Sequence, residues 1–507
     1  MRFCFLRAQT ASADREKRID PVHGNLCIDP WVQRQILPVD RIRDPLTEEV
    51  LLDMENHVFL LKDEKAFAEG TFDNVAYIDG ALRLDQSAGR YIHAGCYTSP
   101  ELAAPAFSAL VASWNAAAPV DTAVEVLARV LVCGAWSAWM SYGKWSPFLR
   151  RASMPVERPR GADAWLDTDQ VRVCAQEGGT AFQVRICLYT NDTSITPAAF
   201  LLAASVRPLH WKREPGEPLY RRSCPVPAYS QNIRDPRIGR MICSPTTVAM
   251  LMNRWGEDLL PEEVAHANYD YTYGGNGNWS FTAAIAGSYG YECYVAFMDI
   301  AELKKEIKNG FACGVSVHYA DTPTHADAHS LPLIEGTTGT TEGHLMVVRG
   351  FETDADGTEY VLCNDSYAKS DADAERRYLL EQFARAWNGV TYVLHTKSNA
   401  RAFAAPVRVM GELRKTPLAG QYALYVRGDR HSLPLDYCER DGICRGTVCY
   451  TVQDGHAHAT TAHKHFYYTD VTPTGDILLD AAIPAGTRIT VYLIGELGRM
   501  IVADLTV

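Results

Sequence analysis

The strongest structural signal in this sequence is a β-hairpin in the stretch TEGHLMVVRGFETDADGTEYVLCNDSY. Two strand-like runs flank the turn sequence TDADGT, in which an Asp-Gly pair supplies a permissive backbone. If the turn is centred on the Ala355–Asp356 bond, Asp365 faces Met346 across the hairpin. Because side chains alternate along a strand, His344 and Asp365 then lie on one face as diagonal neighbours, within side-chain reach.

This pairing has a chemical meaning. A carboxylate beside an imidazole fixes its tautomer and stabilises its cationic form. An imidazolium beside a thiol lowers the thiol pKa, which yields an ion pair able to attack a carbonyl. Three other histidines compete for the role, but none is followed by a hairpin that returns a carboxylate: His318, His325 and His329. We therefore prefer His344, with an ordinary structural hairpin as the alternative.

Cys243 directly precedes a predicted helix in the stretch GRMICSPTTVAMLMNRWGED. Ser244 can cap this helix, and Pro245 suits its first turn, where a missing N–H costs nothing. The positive end of the helix dipole stabilises a thiolate, which is the nucleophilic form of cysteine. Upstream, the amide of Gln231 can donate a hydrogen bond to a developing oxyanion. The alternatives are a structural cysteine beside a helix cap and an ordinary loop glutamine.

The length of 507 residues suggests about three domains, and we expect a multidomain α+β protein. Residues 1–45 are polar and irregular and form a predicted N-terminal arm. Short strand-like runs predict an antiparallel β-sandwich over residues 46–205. Five prolines make residues 206–230 a predicted linker. Residues 231–397 mix helix and strand patterns, and residues 398–507 predict a small C-terminal β-domain.

Composition narrows the partners and the location. A formal net charge of −12 argues against nucleic-acid binding, which needs clustered positive charge. No uncharged apolar run reaches the ~18–20 residues of a transmembrane segment. No apolar core of roughly 7–15 residues, as in a signal peptide, is visible near the start. We expect a cytoplasmic protein, with a secreted or cell-surface location as the alternative.

Most of the 14 cysteines are expected to be reduced core thiols. Several lie in apolar, strand-like runs, among them Cys133 in RVLVCGAW, Cys187 in VRICLYT and Cys363 in YVLCND. This usage fits an intracellular compartment better than a disulfide framework.

The order Gln231, Cys243, His344 and Asp365 resembles the papain-like clan of cysteine peptidases. The stretches CSPTTVAML, EEVAHANYDYTYGGNGNWSFTAAIAGSYG, GHLMVVRGF and NDS resemble, more specifically, the bacterial family related to double-glycine leader peptidases, family thirty-nine of the cysteine class, in a branch of stand-alone members. The resemblance covers residues 224–395. It implies a papain-like fold, with Gln231 as oxyanion donor, Cys243 as nucleophile, His344 as base and Asp365 as orienter.

Two positions depart from that family. Ser244 follows the nucleophile where many relatives have glycine, and Ser366 follows Asp365 where many have proline. Neither change removes a catalytic group. The membrane and ATP-binding domains of the transporter-fused members have no counterpart in this sequence, so leader-peptide export is not implied.

The resemblance extends upstream, because a β-sandwich precedes the peptidase domain in that branch. The tryptophans there are a candidate carbohydrate platform, although packing within a sandwich explains them more simply: Trp114, Trp136, Trp139 and Trp145. A cell-wall peptide or glycan is therefore the alternative partner of this domain. The resemblance also puts the loop GGNGNWS near the cleft, which makes Asn278 and Trp279 candidate substrate contacts, with a structural turn as the alternative.

The C-terminal stretch DGHAHATTAHKHFYY is the candidate metal site. Its four histidines form two alternating pairs downstream of three cysteines: His456, His458, His463 and His465, after Cys438, Cys444 and Cys449. This spacing matches no strong zinc signature. We therefore assign neither a metal nor a cofactor.

The expected activity is hydrolysis of a peptide or isopeptide bond, in a peptide or protein substrate, through a thioester at Cys243. One rival is an acyltransferase or deamidase that uses the same residues. Another is a glycan- or peptide-binding protein with a silent site. The identity of the substrate lies beyond the sequence, because loop shapes decide the specificity of such a cleft.

Overall fold

The computed structural model describes residues 57–159, 161–397, 410–415, 421–427, 446–452, 465–469, 476–480, 483–484, 486–495 and 498–507, so the predicted arm 1–45 lies outside the described residues. The described chain is mostly β-structure with seven α-helices, which agrees with the expected mixed fold. None of these helices is long and apolar enough to cross a membrane. In chain order, the helices α1 to α7 are Glu64–Ala68, Cys243–Asn253, Pro261–Asn268, Trp279–Ser288, Ile300–Asn309, Pro323–His329 and Leu380–Ala386.

The N-terminal part of the described chain forms a 13-stranded sheet with antiparallel pairing, as the sequence predicted. The strands β1 to β15 are Val58–Leu61, Thr71–Asp73, Val75–Ile78, Ala81–Leu84, Gln86–Ser87, Arg90–Tyr91, Ala94–Thr98, Leu102–Ala117, Thr122–Val132, Ala135–Trp136, Met140–Trp145, Ala164–Asp167, Gln170–Val173, Gly179–Thr190 and Ala198–Pro208. Strands β5 and β6 form a separate small hairpin. The long strand β8 pairs with β14 near its start and with β15 further along, so it joins different regions of the sheet.

The tryptophans of this sheet divide into two groups. Trp114 and Trp145 are fully buried in the core, as a packing role predicts. Trp136 and Trp139 are half-buried, and the Arg129 guanidinium lies 4.6 and 4.8 Å from their ring centroids. The four tryptophans therefore do not form one exposed carbohydrate platform.

The cysteines of this part correct one expectation. Cys96 and Cys187 face each other on β7 and β14 and form a disulfide. Cys187 is thus not a reduced thiol, whereas the other eight cysteines among the described residues are reduced thiols, as expected for most of them. Cys133 is exposed in a turn rather than buried, whereas Cys363 is buried as predicted.

The central part is built on a seven-stranded sheet in the order β17-β22-β18-β19-β20-β21, with β16 paired to β19. The strands β16 to β22 are Arg221–Ser223, Tyr291–Phe297, Cys313–Tyr319, Thr341–Thr353, Glu359–Asn364, Glu375–Leu379 and Trp387–Lys397. Helix α2 packs against β19, and its residues 244–252 are all buried. Small and apolar side chains on every side of α2 allow this central position.

Strand β17 is the edge of the central sheet, and the N-terminal part covers it. The Asn115 side chain donates to the Cys293 carbonyl at 2.6 Å and accepts from the Cys293 N–H at 3.1 Å. The hydroxyls of Ser113 and Ser205 accept from the N–H groups of Val295 and Phe297. Side chains of the N-terminal sheet thus provide hydrogen-bond partners for the backbone groups of β17. In an exposed edge strand, water would have to provide these partners.

The predicted linker 206–230 contributes to both sheets. Strand β15 continues to Pro208, and β16 pairs with β19 so that Arg222 faces Phe351. This proline-rich stretch can contain a short strand because its segment RRS has no proline. The segment lies between Pro215 and Pro218 on one side and Pro225 and Pro227 on the other.

The C-terminal part contains two sheets in the described residues, in the orders β23-β24-β27 and β26-β25-β28-β29. The strands β23 to β29 are Met410–Lys415, Gln421–Arg427, Thr447–Val452, Tyr467–Thr469, Asp476–Leu478, Arg488–Gly495 and Gly498–Thr506. Thr447 binds this part to the centre, since its hydroxyl donates to Asp235 at 2.6 Å and lies 3.0 Å from His266 Nε2. Of the predicted histidine cluster only His465 is described; His456, His458, His463, Cys438 and Cys444 lie outside the described residues.

Candidate active site

Cys243 is the first residue of α2, as the sequence predicted. Ile242 occupies the N-cap position and makes no side-chain cap, so Ser244 is not the cap. The Ser244 hydroxyl instead lies 3.0 Å from Thr282 Oγ1 and 2.9 Å from the Tyr392 hydroxyl. The residue that replaces the family's glycine therefore ties the start of α2 to α4 and β22 inside the core.

The hairpin of β19 and β20 brings His344 and Asp365 together. Val347 faces Asn364, which is the register predicted from the sequence. Nearer the turn the pairing is offset by one residue, across a bulge between Val348 and Gly350. The turn is centred half a residue later than predicted. The bulge compensates for this shift, so the side chains of His344 and Asp365 still meet.

His344 is held between Asp365 and Cys243. Its Nε2–H donates to Asp365 Oδ1 at 2.8 Å, and its other nitrogen, Nδ1, is left for the hydrogen bond to the Cys243 sulfur. His344 and Asp365 are almost fully buried, whereas Cys243 is half-buried. The three side chains thus form a linear array that reaches solvent at its sulfur end.

Asp365 accepts two further hydrogen bonds. The Tyr367 N–H donates to Oδ1 and the Tyr378 hydroxyl donates to Oδ2, each at 2.9 Å. The rings of Tyr319 and Tyr367 lie edge-on to the His344 ring, at centroid distances of 6.1 and 5.9 Å. Packing and hydrogen bonds therefore fix both the carboxylate and the imidazole.

The electrostatics favour charge separation in this array. Burial would raise the pKa of Asp365, but the charge and hydrogen bond of His344 outweigh it and hold that pKa below its usual range. Burial would lower the pKa of His344, yet Asp365 and the Cys243 sulfur raise it to about 9. Burial would also raise the pKa of Cys243, but His344 and two backbone N–H groups lower it. Both shifts favour a thiolate–imidazolium pair over the neutral pair.

Gln231 lies in a short 3₁₀ helix, Gln231–Ile233, and is buried. Its Nε2 donates to the Gly239 carbonyl at 2.9 Å, and its Oε1 accepts from the Ser366 hydroxyl at 3.1 Å. Ser366 directly follows Asp365 in the chain. Its hydroxyl therefore links Gln231 to the segment that carries Asp365. These contacts fix the orientation of the Gln231 amide.

Asn278 and Trp279 occupy different environments from those expected. Asn278 is the N-cap of α4 and fully buried; its side chain accepts from the Phe281 N–H at 3.0 Å and donates to Asp270 Oδ2 at 2.9 Å. This placement argues against a substrate contact of Asn278. Trp279 is half-buried against the core.

Sequence reasoning missed Tyr378, Ser366 and Tyr319. Tyr378 lies on β21, whose pairing with β20 brings its hydroxyl under Asp365. No local motif marks such a residue, because its contact depends on a second strand pairing. Within the described residues, no group of three or more His, Cys, Asp or Glu side chains could hold a metal ion.

Comparison with known protein families gives two matched regions. Residues 224–395 match the Peptidase C39-like family, and residues 59–206 match the Peptidase C39 N-terminal domain. No curated protein matches the sequence significantly. The first match contains all four residues predicted to act together, and it suggests a cysteine peptidase, hence a hydrolase. The chain therefore combines a domain of the Peptidase C39-like family with the Peptidase C39 N-terminal domain.

Proposed function

We propose that this protein is a cysteine peptidase that hydrolyses a peptide or isopeptide bond through a thioester at Cys243. The observation that supports it is the hydrogen-bonded array of Cys243, His344 and Asp365 at the start of a buried helix. We also infer a papain-like fold for residues 231–397, since α2 carries the thiol and the antiparallel sheet beside it carries the imidazole. The domain boundaries predicted from the sequence are part of this proposal.

In the first half-reaction the Cys243 thiolate attacks the carbonyl carbon of the scissile bond. The oxyanion that forms would accept hydrogen bonds from the Gln231 amide and from the Cys243 N–H, which has no partner within its own helix. The His344 imidazolium then protonates the leaving nitrogen, and the C–N bond breaks. The products are a free amine and a thioester.

In the second half-reaction neutral His344 takes a proton from water, and the resulting nucleophile attacks the thioester. The C–S bond breaks, the carboxylic acid leaves, and Cys243 and His344 return to the ion pair. Asp365 keeps Nδ1 of His344 directed at the sulfur in both steps, because Nε2 is engaged by its carboxylate.

The test is cleavage of a peptide library, read by mass spectrometry, with wild-type, Cys243→Ser and Cys133→Ser proteins. We expect cleavage by the wild type and by Cys133→Ser, whose exposed thiol is a matched control, and none by Cys243→Ser. An electrophilic peptide probe should label the wild type at Cys243. A Cys243→Ser protein with full activity would contradict the proposal.

The same thioester would serve an acyltransferase if an amine replaced water. Adding a primary amine to the cleavage reaction separates the two functions. Hydrolysed product alone supports a peptidase, whereas dominant amide product at low amine concentration supports acyl transfer.

A further inference from the structure

The peptidase part contains an open cavity of about 470 Å³. Four charged side chains line it, Asp321, Lys369, Asp373 and Arg376, together with the loop 336–339. Its volume is within the range of small-molecule and side-chain pockets. A cavity lined by charged groups selects its ligand mainly by charge and hydrogen bonding.

The residues that line the cavity are close in sequence to residues around His344. The rings of Tyr319 and Tyr367 lie edge-on to the His344 ring, and a Cβ added to Gly339 in the cavity wall would lie 3.8 Å from the Tyr367 ring. Asp321 follows Tyr319 by two positions, and Lys369 follows Tyr367 by two positions. Arg376 faces Cys363 on the neighbouring strand, close to Asp365 in sequence. Three short chain segments thus connect residues around His344 and Asp365 with residues that line the cavity.

The two acids of the cavity are already hydrogen-bonded within the chain. Asp321 Oδ1 accepts from His325 Nδ1 at 2.6 Å and from the Thr340 hydroxyl at 2.7 Å. Asp373 Oδ2 accepts from the Ser370 hydroxyl at 2.7 Å. Each carboxylate therefore has part of its charge offset by a neighbour.

The two cations have no such partners. Lys369 and Arg376 make no side-chain hydrogen bond or ion pair with any described residue, and the Arg376 Nε is buried without an acceptor. A buried Nε–H without an acceptor is unfavourable, since this donor has lost water and gained no partner. An anionic ligand would supply the missing acceptors.

We propose that this cavity binds a carboxylate in the leaving-group half of the substrate, with Arg376 and Lys369 as the specificity-determining residues. The inference rests on the proposed function. Because His344 protonates the leaving nitrogen, the amine portion of the substrate must extend past His344, whose neighbours Tyr319 and Tyr367 connect the site with the cavity wall. A planar guanidinium is suited to bind a carboxylate through two hydrogen bonds.

Such a carboxylate has two sources, an Asp or Glu side chain and the C-terminus of the peptide. Peptides with an amidated C-terminus test the side chain alone, and otherwise identical peptides with a free C-terminus test the terminal group. Both sources engage the same two cations, so the comparison identifies which one the enzyme uses.

The experiment measures kcat/KM for pairs of quenched fluorescent peptides that carry Glu or Gln at each leaving-group position, with free or amidated C-termini. We expect the wild type to prefer one carboxylate-bearing series by at least about tenfold, as a charge-assisted contact supplies. Arg376→Gln should reduce this ratio to near one, because the carboxylate-bearing peptides lose their contact with the guanidinium. Lys369→Gln should reduce it in part. Arg377→Gln is the matched control, because the neighbouring Arg377 pairs with Glu352 and Asp354 away from the cavity.

A wild-type ratio near one at every position, or an unchanged ratio in Arg376→Gln, would overturn the proposal. If the wild type cleaves none of these peptides, the proposed function fails by itself. The cavity is then tested by binding: the Cys243→Ala protein is incubated with the pooled carboxylate and uncharged peptides, and the retained peptides are quantified. Enrichment of the carboxylate pool that is lost in Cys243→Ala/Arg376→Gln supports the subsite, and equal retention of both pools refutes it.

Discussion

At the level of single residues, the Asp365 carboxylate accepts hydrogen bonds from His344, from the Tyr367 N–H and from the Tyr378 hydroxyl. A fully buried carboxylate is costly unless donors replace its water. Here three donors do so, and one of them is the imidazole whose charge the site needs. The contacts that stabilise the anion therefore also orient the base.

The first prediction concerns pH. Since the pKa of His344 is raised to about 9, the alkaline limb of kcat/KM should fall near pH 9, where the imidazolium loses its proton. Asp365→Asn removes the carboxylate that raises this pKa, so the limb should move towards 6.5 and the maximal rate should fall at least about tenfold. A pH–rate profile measures both. The control Asp354→Asn, in the exposed hairpin turn, should keep the wild-type profile.

At the level of elements, the β19–β20 hairpin depends on the close approach of β16. A Cβ added to Gly350 would lie 2.5 Å from the Arg222 carbonyl oxygen and 2.8 Å from Ser223 Cα. Both neighbours are backbone atoms, so neither can move aside cheaply. The glycine beside the bulge thus permits β16 to join the sheet.

Gly350→Ala should therefore destabilise the fold by roughly 1–3 kcal/mol, as overpacking does. Urea denaturation at neutral pH measures the free energy of unfolding. Gly357→Ala, in the turn of the same hairpin, has open space around its Cβ and a positive φ of 88°, so it should cost only about 1–2 kcal/mol of backbone strain. Equal effects of a few tenths of a kcal/mol in both variants would show that β16 does not constrain the hairpin.

The hairpin also shows how far sequence reasoning reaches. The alternation of side chains was enough to place His344 and Asp365 on one face, and the helix pattern was enough to place Cys243 at a helix start. The bulge was not predicted, and it lies where β19 also pairs with β16, a strand within a proline-rich stretch. Tyr378 and Ser366 were missed for a similar reason, since their contacts arise only when β21 and the Gln231 segment pack around Asp365.

At the level of the whole molecule, the N-terminal sheet covers the edge strand β17 of the peptidase part. Asn115→Ala would leave both the N–H and the carbonyl of Cys293 buried without that partner. At about 1–3 kcal/mol for each of the two unsatisfied groups, we expect a loss of roughly 2–6 kcal/mol in unfolding free energy. Gln86→Ala, at an exposed position of the separate β5–β6 hairpin in the N-terminal part, is the control. An effect no larger than that of the control would mean that the two parts fold independently.

The same interface contains a buried group of charges. His395 lies 3.2 Å from Glu292 and 3.0 Å from Glu306, and Lys62 of the N-terminal part lies 2.9 Å from Glu292. Burial would lower the pKa of His395, but the two carboxylates raise it to about 9. Burial would raise the pKa of Glu292, but His395 and Lys62 lower it to about 2. The imidazolium thus joins two carboxylates, one of which is paired with the other domain.

These shifts predict how stability depends on pH. A His with a raised folded pKa stabilises the native state fully below its unfolded pKa of about 6.5, and the contribution is lost as pH rises through 9. Glu292 contributes above its unfolded pKa of about 4.3 and loses its contribution only as pH falls towards 2. The cluster is therefore most stabilising between about pH 4.5 and 6.5. We expect wild type to exceed His395→Gln in unfolding free energy by roughly 3 kcal/mol near pH 6, and the difference to shrink by pH 9.5. His344 titrates in both proteins and cancels in that difference, so a gap between the two denaturation curves that stays constant from pH 6 to 9.5 would exclude His395 as the source.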